Sequence, residues 1–513
     1  MRVGVLEILI PDVAPGALWR LHARNLNRHY ASIMPQAVSV WSRSLGHETF
    51  YATYWGQADP AKLLPDDLDV LFVCAFTSAS ALAAAISRVY AARGTLTVLG
   101  GPHARGYPED ARRFFDVVVG DCDRTLVDEI LRDRPRGVSV SSDRPLRELP
   151  TVEERRPEIE IAHFPKGRAG SRTFVPILAS VGCPYACDFC ADWDNPYRLL
   201  PLERLEADLR YVADHFPNVS IPYHDPNFAI RFDEVLDVLE RIPERRRNRY
   251  VIQTSLSVLS EERLARLRDT RCAYIAPGVE SWADYSGKSD VSRGCSGREK
   301  LERVVAAFER IRRFVPGMQA NFIFGVDADA GSEPMELTRE FARRVPDAWP
   351  NLNVPTPFGG TPLYESHLAE GRILRKMPFA LYYTPYLVTR LLHYSPEAYY
   401  AHAAELMGDL ISRSLTWRRA HRLRGLHHLL HMLHLVQARL LLSEFRQLRE
   451  RLLGDRAFRR FHDGESESLP PFYRERLRLQ LGRYLELLTP EDLVPRLSAG
   501  RASTATGRAA AVA

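Results

Sequence analysis

Three cysteines, Cys183, Cys187 and Cys190, lie in the run Ser180-Val181-Gly182-Cys183-Pro184-Tyr185-Ala186-Cys187-Asp188-Phe189-Cys190, spaced C-x3-C-x2-C. Cysteine thiolates are the usual ligands of iron–sulfur clusters. Three of them hold three irons of a 4Fe–4S cube and leave the fourth open, and an open iron can bind a substrate or cofactor directly. A zinc site closes with four protein ligands, or three and an open position, and commonly takes its cysteines as C-x2-C pairs. The nearby histidines, His163, His215 and His224, stand at no tight ligand spacing. A disulfide framework does not fit 7 cysteines in 513 residues, neither dense nor even. Cys74, Cys122, Cys272 and Cys295 are scattered; Cys74 and Cys272 sit in apolar runs and read as small buried residues.

The elements that must position these thiols follow from length and pattern. A chain of 513 residues has room for two to four domains, and 45% apolar with 26% charged residues is ordinary for a globular protein. A net charge of +5 points to no special partner, and Arg245-Arg246-Arg247 reads as a solvated corner, so no nucleic-acid partner is expected. The apolar start carries Glu7 and runs into Pro11 and Asp12, unlike a signal peptide, and no stretch approaches 18 uninterrupted apolar residues. Free thiols and iron–sulfur chemistry suit a reducing cytoplasm.

Residues 1–134 alternate short apolar runs (3–10, 47–53, 70–76, 95–99 and 117–119) with helical stretches (30–45 and 80–92). Such alternation predicts a doubly wound, Rossmann-like parallel sheet covered on both faces. Gly100-Gly101-Pro102-His103-Ala104 follows a strand directly, where the ligand crevice of such a sheet lies. Residues 135–170, rich in Pro, Arg, Glu and Asp, read as a linker. Strand and helix then alternate again over 171–375, which fits a partial α/β barrel whose working groups stand at the carboxyl ends of its strands. Residues 376–497 read as a helical domain, and 498–513 as a disordered tail.

The predicted barrel-strand ends are polar. They carry His224-Asp225-Pro226-Asn227-Phe228, then Gln253-Thr254-Ser255, Gly278-Val279-Glu280-Ser281, Asn321-Phe322-Ile323-Phe324-Gly325 with Asp327, and Pro357-Phe358-Gly359-Gly360-Thr361-Pro362-Leu363-Tyr364. Any one of them reads equally well as a loop cap. Carboxylates and amides would serve an ammonium and ribose hydroxyls, and glycine would let a backbone approach a ligand.

The cysteine spacing, with Phe189 before the third cysteine, resembles the radical SAM superfamily. The stretch Val98 to Ala104, with Pro108-Glu109 and Val118-Val119-Gly120-Asp121, resembles the N-terminal cobalamin-binding domain of one branch of that superfamily. The resemblance implies a 4Fe–4S cluster on Cys183, Cys187 and Cys190 that binds S-adenosylmethionine (SAM) and cleaves it reductively to a 5′-deoxyadenosyl radical. It implies SAM contacts at Asp225, Asn227, Ser255, Glu280, Ser281, Gly325 and Asp327, and cobalamin as a further cofactor against Gly100 and Gly101. The family's D-x-H-x-x-G cobalt-ligand motif is absent: His47 stands in Gly46-His47-Glu48, and His103 reads as a loop or capping residue.

The implied function is a cobalamin-dependent methyltransferase acting on an unactivated carbon. The alternatives are a cobalamin-free rearrangement, coupling or thiolation enzyme, and a non-enzymatic iron–sulfur or cobalamin binder. The implied partners are a small-molecule or lipid-like substrate and an electron donor such as flavodoxin or ferredoxin. No catalytic side chain is assigned.

In the helical third, the aromatic loops Tyr382-Tyr383-Thr384-Pro385-Tyr386 and His393-Tyr394-Ser395-Pro396 read either as substrate-facing or as packing. His427, His431 and His434 share one helical face, a polar stripe or a metal set. Trp417-Arg418-Arg419 with Arg422 and Arg424 give this region a basic start that would suit an anionic lipid surface or substrate.

Overall fold

The computed structural model describes residues 1–13, 31–146, 148–164, 173–283, 285, 294–422 and 426–498, with backbone alone for 426–430. The tail 499–513 lies outside the described residues.

The first sheet has six parallel strands: β1 (Arg2–Ile8), β2 (Glu48–Tyr54), β3 (Val70–Ala75), β4 (Leu96–Gly100), β5 (Val117–Val119) and β6 (Val138–Val140), in the order β2-β1-β3-β4-β5-β6. Period-two alternation splits its apolar residues between two cores. Leu6, Leu71, Val73, Leu99 and Val118 face one layer of helices, and Val5, Phe72, Val98 and Val117 face the other. The order reverses between β1 and β3, which opens a crevice at the carboxyl ends of those strands.

The stretch read as a linker holds two elements, β6 and the helix Arg156–His163. Its polar composition hides them because its charges are satisfied in the interior rather than in water. Fully buried Arg155 donates to Gln36 Oε1 at 2.8 Å, Pro150 O at 3.2 Å and Pro176 O at 3.2 Å, joining the first sheet's helix to the start of the barrel. Glu158 accepts from Ser39 Oγ at 2.8 Å.

The barrel begins at residues 174–177, which bridge residues 220–223 in parallel through Phe174–Ser220 and Ile177–Tyr223. A two-strand hairpin, β7 (Ser180–Val181) with β8 (Arg198–Leu199), then brackets the cysteine loop. Five further strand positions follow: β9 (Ser220–Pro222), β10 (Arg249–Ile252), the broken strand β11 (Cys272–Ile275) with β12 (Gly278–Glu280), β13 (Gly317–Ile323) and β14 (Ala348–Asn353). All pair in parallel, with β14 beside β13 at the edge, and a helix precedes each. β14 escapes a sequence reading because Pro350 interrupts its pattern. An edge strand tolerates that proline, which here sits opposite Ala320.

The C-terminal region is helical, as expected, with helices Pro396–Leu410, Arg413–Arg422, Leu426–Gly454, Arg456–His462 and Pro471–Leu481. It does not end there. Leu481, Tyr484 and Leu488 return to the first domain's core beside Leu82 and Ile86, and Arg113 donates to Glu491 O and Val494 O. Among the described residues, no helix is long and apolar enough to cross a membrane.

Glu7 is a cost within this fold. It lies buried on β1 and accepts from Ser32 N at 2.8 Å, yet burial raises its carboxyl pKa from 4.5 to about 7. The folded state therefore holds this proton more tightly than the unfolded chain does. Stability falls as pH rises from about 4.5 through about 7, by on the order of 3 kcal/mol in all. Glu7→Gln is expected to raise the thermal midpoint above about pH 7 and to bring no gain below about pH 4.5. Melting curves across pH check this; parallel pH slopes in the two proteins would refute it.

Candidate cofactor site

Backbone hydrogen bonds fold the cysteine loop tightly between β7 and β8. Cys183 N donates to Asn195 O at 3.0 Å, and Cys190 N to Cys187 O at 3.0 Å. Side chains fasten it outward: Trp193 Nε1 donates to Gly360 O at 2.9 Å, and the Tyr185 and Ser257 hydroxyls meet at 3.0 Å. Two N–H groups address the sulfurs, Asp192 N at 3.4 Å from Cys190 Sγ and Asn227 Nδ2 at 3.7 Å from Cys183 Sγ. Such N–H donors stabilise thiolate charge. The other buried cysteines differ: burial pushes the Cys122 and Cys272 thiols up to about 12 and raises that of Cys74 as well. Cys122 and Cys272 are protonated packing residues, whereas Cys74 is half-buried. Among the described residues, no three His, Cys, Asp or Glu side chains converge on a single ion. A cube does not require that convergence, because each thiolate takes a different iron. The loop, its three thiols and its N–H donors fit a cluster.

The adjoining strand ends are stitched together. Asn227, fully buried, accepts from Ser255 N at 3.0 Å and donates to Ser255 Oγ at 3.3 Å, and Phe228 N donates to Gln253 O at 2.8 Å. Asp225 accepts from Ala179 N at 3.0 Å and Ser180 Oγ at 2.5 Å, and burial raises its carboxyl pKa to about 6. Its carboxylate thus holds the residues that lead into the cysteine loop.

Glu280 and Ser281 close the next strand position. Glu280 is buried, with positive φ, and its carboxylate folds back over Gly278, where any Cβ would overlap it. Ser281 Oγ donates to Asp329 Oδ1 at 2.5 Å, and Gly325 N donates to Asp329 Oδ2 at 2.9 Å. Buried Lys300 donates to the Ser281 and Ala283 carbonyls. Asp327, by contrast, pairs with Arg372 at 2.6 and 2.7 Å, and that hydrogen bonding holds its carboxyl below the usual range. Asp329 and Lys300 went unforeseen: the first looks like a loop carboxylate and the second like an exposed helical lysine. Tyr399 lies over Gly325 and stacks on Phe324 with ring centres 5.1 Å apart.

Gly100 and Gly101 line a cavity of about 610 Å³ at the carboxyl ends of the first sheet's strands. Phe72, Cys74, Phe76 and Val119 also line it, and it reaches Ala191 and Asp192, the residues after Cys190. That volume is in the usual range for an organic ligand. Among the described residues, its wall has no histidine. His103 instead turns inward, with Nε2 3.6 Å from Asp110 Oδ2 and its ring against Phe379. Arg105 spans the cavity's edge to Asp192 at 3.2 Å and Asp194 at 3.5 Å.

Among the aromatic loops, Tyr382 lines the cavity, whereas Tyr386 packs on Tyr473 and Tyr394 on Phe324. His431 and His434 pack on Trp349; the side chain of His427 lies outside the described residues.

The family model of the Radical SAM superfamily matches residues 177–341, which span the cysteine loop and the strand ends above. This segment is a radical SAM domain. The chain is similar to an uncharacterised methyltransferase of Pyrococcus horikoshii, 24% identical over 365 residues, covering 66% of this chain and 78% of the relative. It is also similar to the bacteriochlorophyllide d C-8(2)-methyltransferase of Chlorobaculum tepidum, 25% identical over 328 residues, covering 60% of this chain and 70% of the relative. In fold, it is similar to the cobalamin-dependent S-adenosylmethionine radical enzyme OxsB, solved with aqua-cobalamin bound. That match has a TM-score of 0.58 and 14% identity, and it covers 94% of this chain and 80% of the other. The architecture around the radical SAM domain is therefore shared well beyond the matched segment.

Asn227→Ala leaves the buried Ser255 amide without its acceptor and removes a donor from Cys183. It is expected to cost about 1–3 kcal/mol in urea unfolding. In the reconstituted protein it is expected to lower the cluster's reduction potential, because N–H donors to sulfur favour the reduced state. Unchanged stability and potential would show that Asn227 does neither job.

Proposed function

We propose that this chain is a cobalamin-dependent radical SAM methyltransferase acting on an unactivated carbon of a small or lipid-like molecule. One observation carries the reading: the cavity at the first sheet's strand ends opens onto the residues directly after Cys190, so the two candidate cofactor positions share one chamber. The relatives named as methyltransferases and the OxsB fold support it. When bound, the cluster with SAM and the cobalamin would supply one-electron chemistry and a transferable methyl group.

The chain's own residues would bind, orient and exclude water. Cys183, Cys187 and Cys190 would hold the cluster, with Asn227 and the Asp192 amide sharing the thiolate charge. Ser255, Glu280 and Ser281 would meet SAM, and the Asp329 carboxylate fixes the Ser281 hydroxyl and the Gly325 amide at that wall. Gly100 and Gly101 would let cobalamin approach the backbone, and the apolar wall of Phe72, Phe76 and Val119 keeps the chamber dry. Among the described residues of this wall, none is a histidine that could ligate the cobalt. An external donor such as flavodoxin or ferredoxin would deliver the electrons.

The test is anaerobic reconstitution with hydroxocobalamin, quantifying iron and cobalt per chain together. Iron for one 4Fe–4S cluster with stoichiometric cobalt is expected, with S-adenosylhomocysteine and 5′-deoxyadenosine both formed on turnover. Cys187→Ala is expected to lose the cluster and the activity. Iron without cobalt would overturn the cobalamin assignment, and an intact cluster in the variant would overturn the whole reading.

A further inference from the structure

One feature of the helical domain is not absorbed by that chemistry. Residues 411–443 contain six arginines and five histidines and not one Asp or Glu. In a chain with 64 acidic residues, such a run creates a local positive surface. The run covers the helix Arg413–Arg422 and the first half of the helix Leu426–Gly454.

Both helices are anchored at one point. Arg419 lies over the Trp349 ring at 5.0 Å, and His431 and His434 pack on the same ring. At about 100° per residue, Trp417 stands on the side of its helix away from Arg419, and Met432, Leu433, Val436 and Leu440 stand away from His431 and His434. The solvent exposure agrees: these five apolar side chains are 46% to 65% exposed. Arg413, Arg418 and Arg439 are exposed as well, and none has an ion-pair partner among the described residues. An aromatic residue and aliphatic residues facing outward, bordered by unpaired arginines with no acid between them, have the composition of an interfacial helix.

We propose that this face docks on an anionic membrane surface, with Trp417, Met432, Val436 and Leu440 entering the headgroup boundary and Arg413, Arg418 and Arg439 contacting lipid phosphates. The charge favours this occupant over a second copy of the chain, whose same face would bring arginines against arginines. Position disfavours an acidic electron donor. Asp347 and Trp349, on which the helices rest, stand at the amino end of β14, whereas the cysteine loop follows the carboxyl end of the first barrel strand. Membrane docking is independent of the proposed reaction and requires neither cluster nor SAM.

The test is co-sedimentation of the full chain with vesicles, either phosphatidylcholine alone or phosphatidylcholine mixed with phosphatidylglycerol. The wild-type chain is expected to bind the mixed vesicles, to release them as salt rises, and to bind pure phosphatidylcholine at least about ten-fold more weakly. V436E/L440E alters only exposed side chains, so it should keep the wild-type melting temperature while losing about ten-fold or more in vesicle affinity. R418E/R439E should lose the preference for phosphatidylglycerol. Absence of binding, or binding that V436E/L440E leaves intact, would overturn the proposal. So would a solution dimer, measured by light scattering, that V436E/L440E splits, since a second copy would then be the occupant.

Discussion

The constraint on which the rest depends is the seam where the first sheet meets the cysteine loop. Gly106, just past the glycine turn after β4, lies directly against Gly359 at the end of the barrel, and a Cβ on Gly359 would overlap the Gly106 carbonyl. Two backbones can approach this closely only where neither residue has a side chain. Around that contact, Tyr107 packs on Phe379 with ring centres 4.1 Å apart, and Arg105 reaches Asp192 and Asp194. The seam therefore sets how far the glycine-lined wall stands from Cys190. A chamber shared by two cofactors needs that distance fixed before either binds, since a loose scaffold would lose reacting geometry to thermal motion.

The same seam explains why the chain returns to its beginning. Tyr484 and Leu488 finish the first domain's core, and Arg113 caps the returning chain at Glu491 and Val494. Arg155 does the corresponding work on the other flank, tying Gln36 to Pro176. The Arg155 hydrogen bonds satisfy buried polar groups across the domain boundary, and those of Arg113 lie nearer the surface. They are directional, so they specify one relative placement of sheet and barrel more sharply than apolar contact alone would.

What the sequence made legible was whatever depends on local pattern. The doubly wound parallel sheet follows from five short apolar runs divided by helices, and the cysteine loop from its spacing. Glu280 and Asn227 stood out by their place in a series of polar strand ends after the cysteine motif, since either alone reads equally well as a loop cap. The rest was hidden by non-local pairing. β14 was masked by Pro350, β6 by the polar stretch around its Val138-Ser139-Val140 run, and the helix Arg156–His163 by a charge, Glu158, whose partner Ser39 lies more than a hundred positions away. Asp327 and Asp329 show the limit most plainly. They are two residues apart and alike in type, yet Arg372 takes the first, while Ser281 and Gly325 take the second. Nothing in the local sequence separates them, because the distinction is made by a residue 45 positions on.

The two ends of the barrel are built to opposite rules. At the carboxyl ends, Asp225 and Asp329 are buried and engaged through both oxygens. Asp225 is raised to about 6 by desolvation, and Asp329 is also raised by burial while accepting from two donors. Such groups are costly to ionise, and each is held by donors from a neighbouring segment. At the amino ends, near Asp347 and Trp349, Arg419 is buried beneath carbonyls, while Arg413, Arg418 and Arg439 are left to solvent among exposed aliphatics. Interior polar groups satisfied within the protein serve precision, and surface charges left unmatched serve encounter. With precision at one end of a parallel barrel and encounter at the other, the candidate cofactor site and the proposed membrane face stand on one chain without either intruding on the other.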